Sequence, residues 1–280
     1  MLLKMKDLFK KIIEFFKNLF SKKEIEETIP IEDVNISTEG DSGTTEVEND
    51  DIDDNNIIVT YPTEPVEPEE DENECKIKIL IDNGHGFDTP GKKSPYSCSG
   101  VEPAIIFEEW RWAREISHPL VDKLVELGYD AELLVPERED ISLKERVRRV
   151  NEFCLNLGKN NVILISVHAN AAGNGTQWMK ARGWEAYTTR GTTKSDKLAD
   201  CLYAAAEKNF KGMKIRSDYS DGDIDKEADF YIIKHTLCPA VLTENFFYDN
   251  VDDVNYILSD EGREAVLKAH LEGIKKYLKK

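Results

Sequence analysis

The stretch "VILISVHAN" (residues 162–170) combines an apolar run rich in β-branched residues with an imidazole close to its end. A short run of this kind predicts a strand that is buried on both faces, as in the parallel sheets of α/β proteins. In that architecture, ligands bind at the carboxyl ends of the strands. The stretch therefore predicts a central strand that ends in a functional residue, His168.

Two further stretches repeat this arrangement of an apolar run followed by a polar residue. "KIKILIDNGHG" (76–86) leads into His85, and "PAVLTENFF" (239–247) contains Glu244. If the three strands are parallel neighbours, His85, His168 and Glu244 converge at one edge of the sheet.

The remaining chain alternates between apolar strands and amphipathic helices. We predict strands at 76–82, 130–135, 162–167, 183–189, 230–234 and 240–245, and helices at 108–127, 142–157, 195–210 and 261–278. This alternation predicts a three-layer α/β domain in which helices flank a mostly parallel, twisted sheet.

Charge divides the chain into three parts. Residues 1–23 carry seven Lys against Asp7 and Glu14, residues 24–74 carry twenty acidic and no basic residues, and residues 75–280 are nearly neutral. We predict a basic amphipathic helix (1–23), a disordered acidic linker (24–74) and a catalytic domain (75–280). A globular part without a concentrated basic surface argues against nucleic acid as a partner.

The basic helix predicted for residues 1–23 has an apolar side and a lysine-rich side, which is typical of a segment lying on a membrane surface. The alternative is docking onto the chain's own domain or onto a partner. Its apolar runs are shorter than the ~7 residues of a secretory signal and the ~20 of a membrane span. We expect action at the cell wall or periplasm, without a cleavable signal peptide.

The cysteines and the other histidines have simpler interpretations. Free thiols are expected because the five cysteines show no paired spacing; they are Cys75, Cys98, Cys154, Cys201 and Cys238. Structural roles are expected for His118, His235 and His270.

The histidines at the strand ends suggest a metal site. Two neutral imidazoles and one carboxylate form a common ligand set for catalytic zinc. Glu108 or Glu109 at the start of the first helix can supply the carboxylate, and Glu244 can serve as a separate base.

These motifs resemble the zinc-dependent N-acetylmuramoyl-L-alanine amidases of the Amidase_3 family. The resemblance covers roughly residues 76–280 and rests on "IDNGHGF", "SVHAN", "PAVLTE" and the Leu-x-x-Arg helix in "LKERVRRVN". The pairs "EEW" and "RWARE" resemble the phage endolysin and mobile-element branch more closely than the housekeeping remodelling enzymes.

The resemblance implies that one Zn²⁺ is bound by His85, Glu109 and His168, with Glu244 as the catalytic carboxylate. It implies hydrolysis of the amide between N-acetylmuramic acid and L-alanine in peptidoglycan or muropeptides. Two routes to the wall stay open: release by a lysis system, which fits a phage origin, and a partner-guided route. Asp82, Asn83 and Asn170 lie close to these residues in sequence, so we expect hydrogen bonds that orient the imidazoles.

The sequence departs from the family pattern at three positions. Asn83 replaces a Pro, Phe87 replaces the second Gly after His85, and Phe246 stands where a Gly often follows the catalytic Glu. We expect the two bulky rings to reshape the substrate groove.

Two other functions remain open. A zinc carboxypeptidase uses a similar ligand set and needs an arginine for the terminal carboxylate, for which Arg138, Arg146 and Arg216 are candidates. A membrane-tethered wall-binding protein with a degenerate site is the non-enzymatic alternative.

Overall fold

The computed structural model describes residues 76–95 and 106–279. The helix predicted for residues 1–23, the linker predicted for 24–74, and both Cys75 and Cys98 lie outside the described residues. The structure therefore describes only the domain that begins at about residue 76.

A six-stranded sheet forms the centre of this domain. Its strands are β1 (Lys78–Asn83), β2 (Asp130–Leu133), β3 (Val162–Asn170), β4 (Glu185–Thr188), β5 (Lys226–Glu227) and β6 (Ala240–Phe247). The strand order is β2-β1-β3-β6-β4-β5. The pairs from β2 to β6 are parallel, whereas β4 runs antiparallel to β6. The prediction of a mostly parallel sheet is confirmed.

Helices cover both faces of the sheet. They are α1 (Glu109–Glu126), α2 (Leu143–Leu157), α3 (Lys194–Asn209), α4 (Tyr231–Lys234), α5 (Val251–Leu258) and α6 (Asp260–Leu278). Side chains that alternate along each strand enter two separate cores, so Ile163 and Ile165 pack on the side of α1, α3 and α6, and Leu164 packs on the side of α2 and α4. The predicted three-layer arrangement is confirmed.

The prediction of a strand at 230–234 is wrong. Residues 231–234 form the single helical turn α4, and Ile232 and Ile233 are both buried in the core cluster that also contains Val150 and Leu242. Consecutive side chains of a strand point to opposite faces, so a strand could not place both isoleucines in one core. Burial of both on the same side therefore favours the turn.

A bulge near the ends of β3 and β6 lies beside the candidate site. His168 is paired with Glu244 and Asn170 with Phe247, so β6 has one more residue than β3 between these pairs. Phe246, in the extra segment, adopts a left-handed backbone with φ 70°. Bulges of this kind redirect side chains near the ends of strands.

Within residues 76–95 and 106–279, no helix is long and apolar enough to span a bilayer.

Candidate active site

His85, Glu109 and His168 come together at the carboxyl edge of the sheet. Glu109 Oε1 lies 2.9 Å from His168 Nδ1, and Glu109 Oε2 lies 3.4 Å from His85 Nε2. One donor atom from each of the three residues lies within 4.8 Å of the other two. The imidazole rings stand nearly perpendicular, with centroids 4.9 Å apart.

Glycines on either side of His85 make this approach possible. A Cβ on Gly84 would lie 2.1 Å from the His168 ring, and a Cβ on Gly86 would lie 2.0 Å from the backbone nitrogen of Asp140. Between them, His85 adopts a left-handed backbone with φ 63°. Such a conformation is costly for a residue with a side chain, and it is often found at functional sites.

Glu109 is the buried carboxylate between the two rings. It opens α1, its side chain is 1% exposed, and its Oε1 also accepts a hydrogen bond from Ala169 N. Burial alone would raise the pKa of Glu109, but the adjacent imidazoles of His168 and His85 lower it well below its usual range. Glu108 is partly exposed and lies outside this cluster.

Glu244 lies next to His168 on the neighbouring strand β6. Its Oε2 is buried and accepts no hydrogen bond from any described residue. Burial is the main cause that raises the pKa of Glu244 to about 8, and the charges of Glu109 and Glu185 act in the same direction. Glu244, Glu109 and His168 share a cavity of about 240 Å³ that is also lined by Lys92, Asn170, Asn174 and Tyr248.

The ligand set fits a divalent metal ion. The buried Glu109 Oε2 receives no well-aligned hydrogen bond from the described part of the chain, although it faces two imidazoles. A buried carboxylate oxygen without a partner is costly, and a metal ion would satisfy it. His85, Glu109 and His168 can therefore hold a metal while Glu244 stays beside it.

Residues 79–276 match the family described as N-acetylmuramoyl-L-alanine amidase. The chain belongs to this family. The family and the enzyme class predicted from the sequence motifs are thereby confirmed.

Two curated proteins similar to this chain are an endolysin and an N-acetylmuramoyl-L-alanine amidase. The endolysin of Bacillus phage SPP1 is 28% identical over 202 residues, which are 71% of this chain and 65% of the relative. The N-acetylmuramoyl-L-alanine amidase CwlM of Bacillus licheniformis is 25% identical over 205 residues, which are 71% of this chain and 67% of the relative. The similarity thus spans about two thirds of each relative.

Solved structures support the same fold. The catalytic domain of CwlV, an N-acetylmuramoyl-L-alanine amidase from Bacillus (Paenibacillus) polymyxa var. colistinus, shares 20% identity with a TM-score of 0.57 over 72% of this chain and 98% of that one. An N-acetylmuramoyl-L-alanine amidase from Clostridium difficile 630 shares 23% identity with a TM-score of 0.58 over 73% of this chain and 98% of that one.

Asp82 supports the site of this amidase-family chain indirectly. Its Oδ1 accepts from Arg146 Nη1 at 2.6 Å and its Oδ2 from Ser166 Oγ at 2.5 Å. Arg146 Nη2 in turn donates to the His85 carbonyl at 3.4 Å, and Arg114 Nη1 donates to the same oxygen at 3.1 Å. Asp82 therefore acts on the backbone of His85 through Arg146, and its own hydrogen bonds do not go to an imidazole.

The two predicted asparagines have different surroundings. Asn83 is fully buried, and its side-chain atoms have no hydrogen-bond partner in the described ranges. Asn170 donates to Glu185 Oε1 at 2.7 Å. Asn245, which the sequence motifs did not single out, donates to the His168 carbonyl at 2.9 Å. Its place next to Glu244 was the only available signal.

Buried Glu185 is a second feature that the sequence did not indicate. Its carboxylate forms ion pairs with Arg216 Nε at 2.6 Å and Lys226 Nζ at 2.9 Å, and accepts a hydrogen bond from the Tyr187 hydroxyl at 2.8 Å. The strand β4 places it directly opposite Glu244. No single motif marks this network, because its members are far apart in the sequence.

The arginines considered for a terminal carboxylate have other contacts. Arg146 is buried against Asp82, and Arg216 is paired with Glu185. Arg138 is exposed and lies over the rings of Phe87 and Trp110. Two of the three guanidinium groups are therefore already neutralised by carboxylates of the chain.

The two aromatic departures from the family pattern behave differently. Phe87 is 52% exposed and lies 6.4 Å from Trp110, ring to ring. Phe246 is fully buried against Phe210 and Tyr256, so the expectation that it reshapes the groove is wrong. The left-handed backbone explains why glycine suits this position, and in this chain burial of the ring offsets the strain.

The remaining histidines lie away from the metal cluster. His118 and His235 are exposed, whereas His270 is buried and contacts Thr243 Oγ1 and the Val266 carbonyl. Burial lowers the pKa of His270 to about 4, so its ring is neutral. The predicted free thiols are found at the three described cysteines, all buried: Cys154, Cys201 and Cys238.

Proposed function

We propose that the chain is a zinc-dependent peptidoglycan hydrolase that cleaves the amide between N-acetylmuramic acid and L-alanine of the stem peptide. The observation that carries the proposal is the cluster of His85, Glu109 and His168 beside Glu244, in a domain of this amidase family. The recorded names of the relatives support the substrate class.

Zn²⁺ is the metal that these donors suit best. Two imidazoles and one carboxylate leave one position open in a tetrahedral site, as in catalytic zinc centres. His85, Glu109 and His168 would hold the ion. When bound, zinc lowers the pKa of a coordinated water and polarises a carbonyl group.

Glu244 is the group that moves the proton. Glu244 lines the shared cavity and has one unpartnered oxygen, so its carboxylate can accept a proton from the attacking water and return it to the leaving amine. Burial keeps the carboxyl group protonated near neutral pH in the metal-free protein, and a neighbouring cation would favour the ionised form that acts as a base.

Glu109 and Glu244 need different surroundings for these roles. Glu109 already contacts both imidazoles, which supports its proposed role as a ligand beside them. Glu244 has a free oxygen and forms no ion pair with a described residue. The two carboxylates are therefore suited to metal binding and proton transfer, respectively.

Product analysis on purified peptidoglycan tests the proposal. The zinc-loaded protein is expected to expose new L-alanine amino termini and free lactyl carboxyl groups on the glycan. Single residues released from peptide carboxyl termini would instead indicate the carboxypeptidase. Binding to walls without any product, in a protein that retains zinc, would indicate the degenerate wall-binding alternative.

We also propose the domain organisation expected from charge. Residues 1–23 would lie on an anionic membrane surface, and the acidic segment 24–74 would hold the domain 75–280 away from it. Co-sedimentation of the full chain and of residues 24–280 with anionic and neutral vesicles tests this. Equal binding of both proteins would contradict the role given to residues 1–23.

A further inference from the structure

A second carboxylate cluster lies outside the candidate active site. Asp196 is in the first turn of α3, and Asp223 and Asp225 come just before β5. One carboxylate oxygen from each of these residues lies within 4.8 Å of the other two. None of the three lines the cavity that contains Glu109 and Glu244.

Asp225 provides the observation that separates this cluster from an ordinary acidic surface. The residue is 1% exposed, and its Oδ2 accepts a hydrogen bond from Thr188 Oγ1 at 2.7 Å. Its Oδ1 is buried and has no hydrogen-bond partner among the residues that the structure describes. Thr188 therefore fixes the carboxylate in one orientation while the second oxygen stays unsatisfied.

Asp223 also has a carboxylate oxygen without a hydrogen-bond partner among the described residues. The residue is partly exposed, yet this oxygen, Oδ1, is buried. Asp196 differs because it closes the capping box of α3 with Thr193. Two unsatisfied oxygens thus lie beside a third carboxylate that the helix start holds in place.

No side-chain cation of the described chain compensates these charges. Asp196, Asp223 and Asp225 form no ion pair there, whereas the buried Glu185 is paired with both Arg216 and Lys226. Burial, followed by the charges of Asp223 and Asp196, raises the pKa of Asp225 to about 7. Native structures rarely leave a buried carboxylate in this state without an ion, a proton or a water.

We propose that Asp196, Asp223 and Asp225 bind a calcium ion. The donors are all carboxylate oxygens, which hard cations prefer, and the cluster contains no His or Cys that would favour zinc. Calcium accepts irregular sets of oxygens and completes its shell with water and carbonyl groups, whereas magnesium demands a near-ideal octahedron.

The position of this site predicts its effect. A cation there would join the start of α3 to the segment before β5. The next residue, Lys226, opens β5 and pairs with Glu185, which accepts from Asn170 at the edge of the active-site cavity. Calcium would therefore stabilise the β4–β5 edge of the sheet, and its loss would loosen the segment 217–227.

Calcium-dependent thermal unfolding of the zinc-loaded full chain tests the proposal. In calcium-free buffer at pH 8, added CaCl₂ is expected to raise the Tm of the wild type. Asp225→Asn is expected to lose most of this rise, because it removes one negative ligand. Asp218→Asn is the matched control, since Asp218 is an exposed residue of the same segment outside the cluster.

The comparison of variants is decisive because the twenty acidic residues of segment 24–74 also attract Ca²⁺. Calorimetric titration with CaCl₂ should show one tight site in the wild type and in Asp218→Asn, with at least about tenfold weaker binding in Asp225→Asn. An equal response of wild type and Asp225→Asn would overturn the proposal, as would tighter binding of Mg²⁺ than of Ca²⁺.

A second variant covers the case in which Asp225→Asn does not fold. Asp223→Asn changes a partly exposed residue and is expected to weaken calcium binding in the same way. If a proton shared by Asp223 and Asp225 satisfies the cluster instead, the wild type gains no Tm from CaCl₂ at pH 8, and the proposal fails. Neither readout involves wall hydrolysis, so this failure is distinct from failure of the amidase proposal.

Discussion

Glu109 at the start of α1 and Glu244 on β6 lie on two walls of the active-site cavity, the helix wall and the strand wall. Their surroundings shift the pKa values of these two carboxyl groups in opposite directions. On the helix wall, Glu109 contacts two imidazoles, and its pKa is lowered. On the strand wall, Glu244 has a buried oxygen without a partner, and its pKa is raised to about 8. Environment therefore separates the roles of two chemically identical side chains, one suited to hold a metal and the other to exchange a proton.

Removing the carboxylate of the helix wall should have the largest effect. We expect Glu109→Ala to lose its bound zinc and all measurable lytic activity, because the two imidazoles lose the anion between them. Metal analysis and peptidoglycan digestion measure the two effects. Glu108→Ala is the adjacent control, and the assignment is wrong if this variant loses zinc while Glu109→Ala keeps it.

Neutralising the carboxylate of the strand wall should separate chemistry from metal binding. Glu244→Gln is expected to lower kcat by about 10²- to 10⁴-fold, the range of a general acid-base group, with zinc content unchanged. Steady-state kinetics on soluble muropeptides provides the rate. Loss of zinc together with activity would show that Glu244 is instead a ligand.

Disrupting the support behind His85 should have an intermediate effect. Asp82→Asn removes the charge that holds Arg146, which contacts the His85 carbonyl. We expect zinc affinity to fall about 10- to 100-fold, the cost typical of losing an orienting partner. Competition with a chromogenic chelator measures the affinity, with the exposed Asp229→Asn as control. Unchanged affinity would remove Asp82 from the site.

Changing the charge opposite Glu244 should have the smallest effect. The negative charge of Glu185 raises the pKa of Glu244, so Glu185→Gln should lower the pKa of Glu244. The same change frees Arg216 and Lys226 from their ion pairs with Glu185, and their positive charges should lower this pKa further. Because the base must be ionised, the acidic limb of kcat/KM should move to lower pH, with a gain of less than about tenfold at acidic pH. A shift to higher pH would contradict this electrostatic coupling.

Local sequence patterns were sufficient to predict much of the fold and of the candidate site. The apolar runs of β1, β3 and β6 were visible because burial on both faces requires continuous apolar residues. His85, His168 and Glu244 could be placed at one edge because parallel strands present their carboxyl ends together. The choice of Glu109 over Glu108 came from the family resemblance, and Glu109 is the residue that lies with His85 and His168 in the structure.

The errors arose where local pattern and packing disagree. The segment 230–234 has the composition of a strand, yet a helical turn buries Ile232 and Ile233 on the same side. Phe246 was expected in the groove, but the left-handed backbone in the bulge turns its ring into the core. Neither outcome can be inferred from neighbouring residues alone.

The sequence by itself determined the alternation of apolar strands with amphipathic helices, the family, and which residue types are available at the sheet edge. The tertiary structure decided how these residues interact. It paired Asp82 with Arg146, gave Glu185 two cations and left Glu244 without one, and brought Asp196 to Asp223 and Asp225. The physical reason is that periodicity records burial along one element, whereas charge state depends on contacts between residues far apart in the chain.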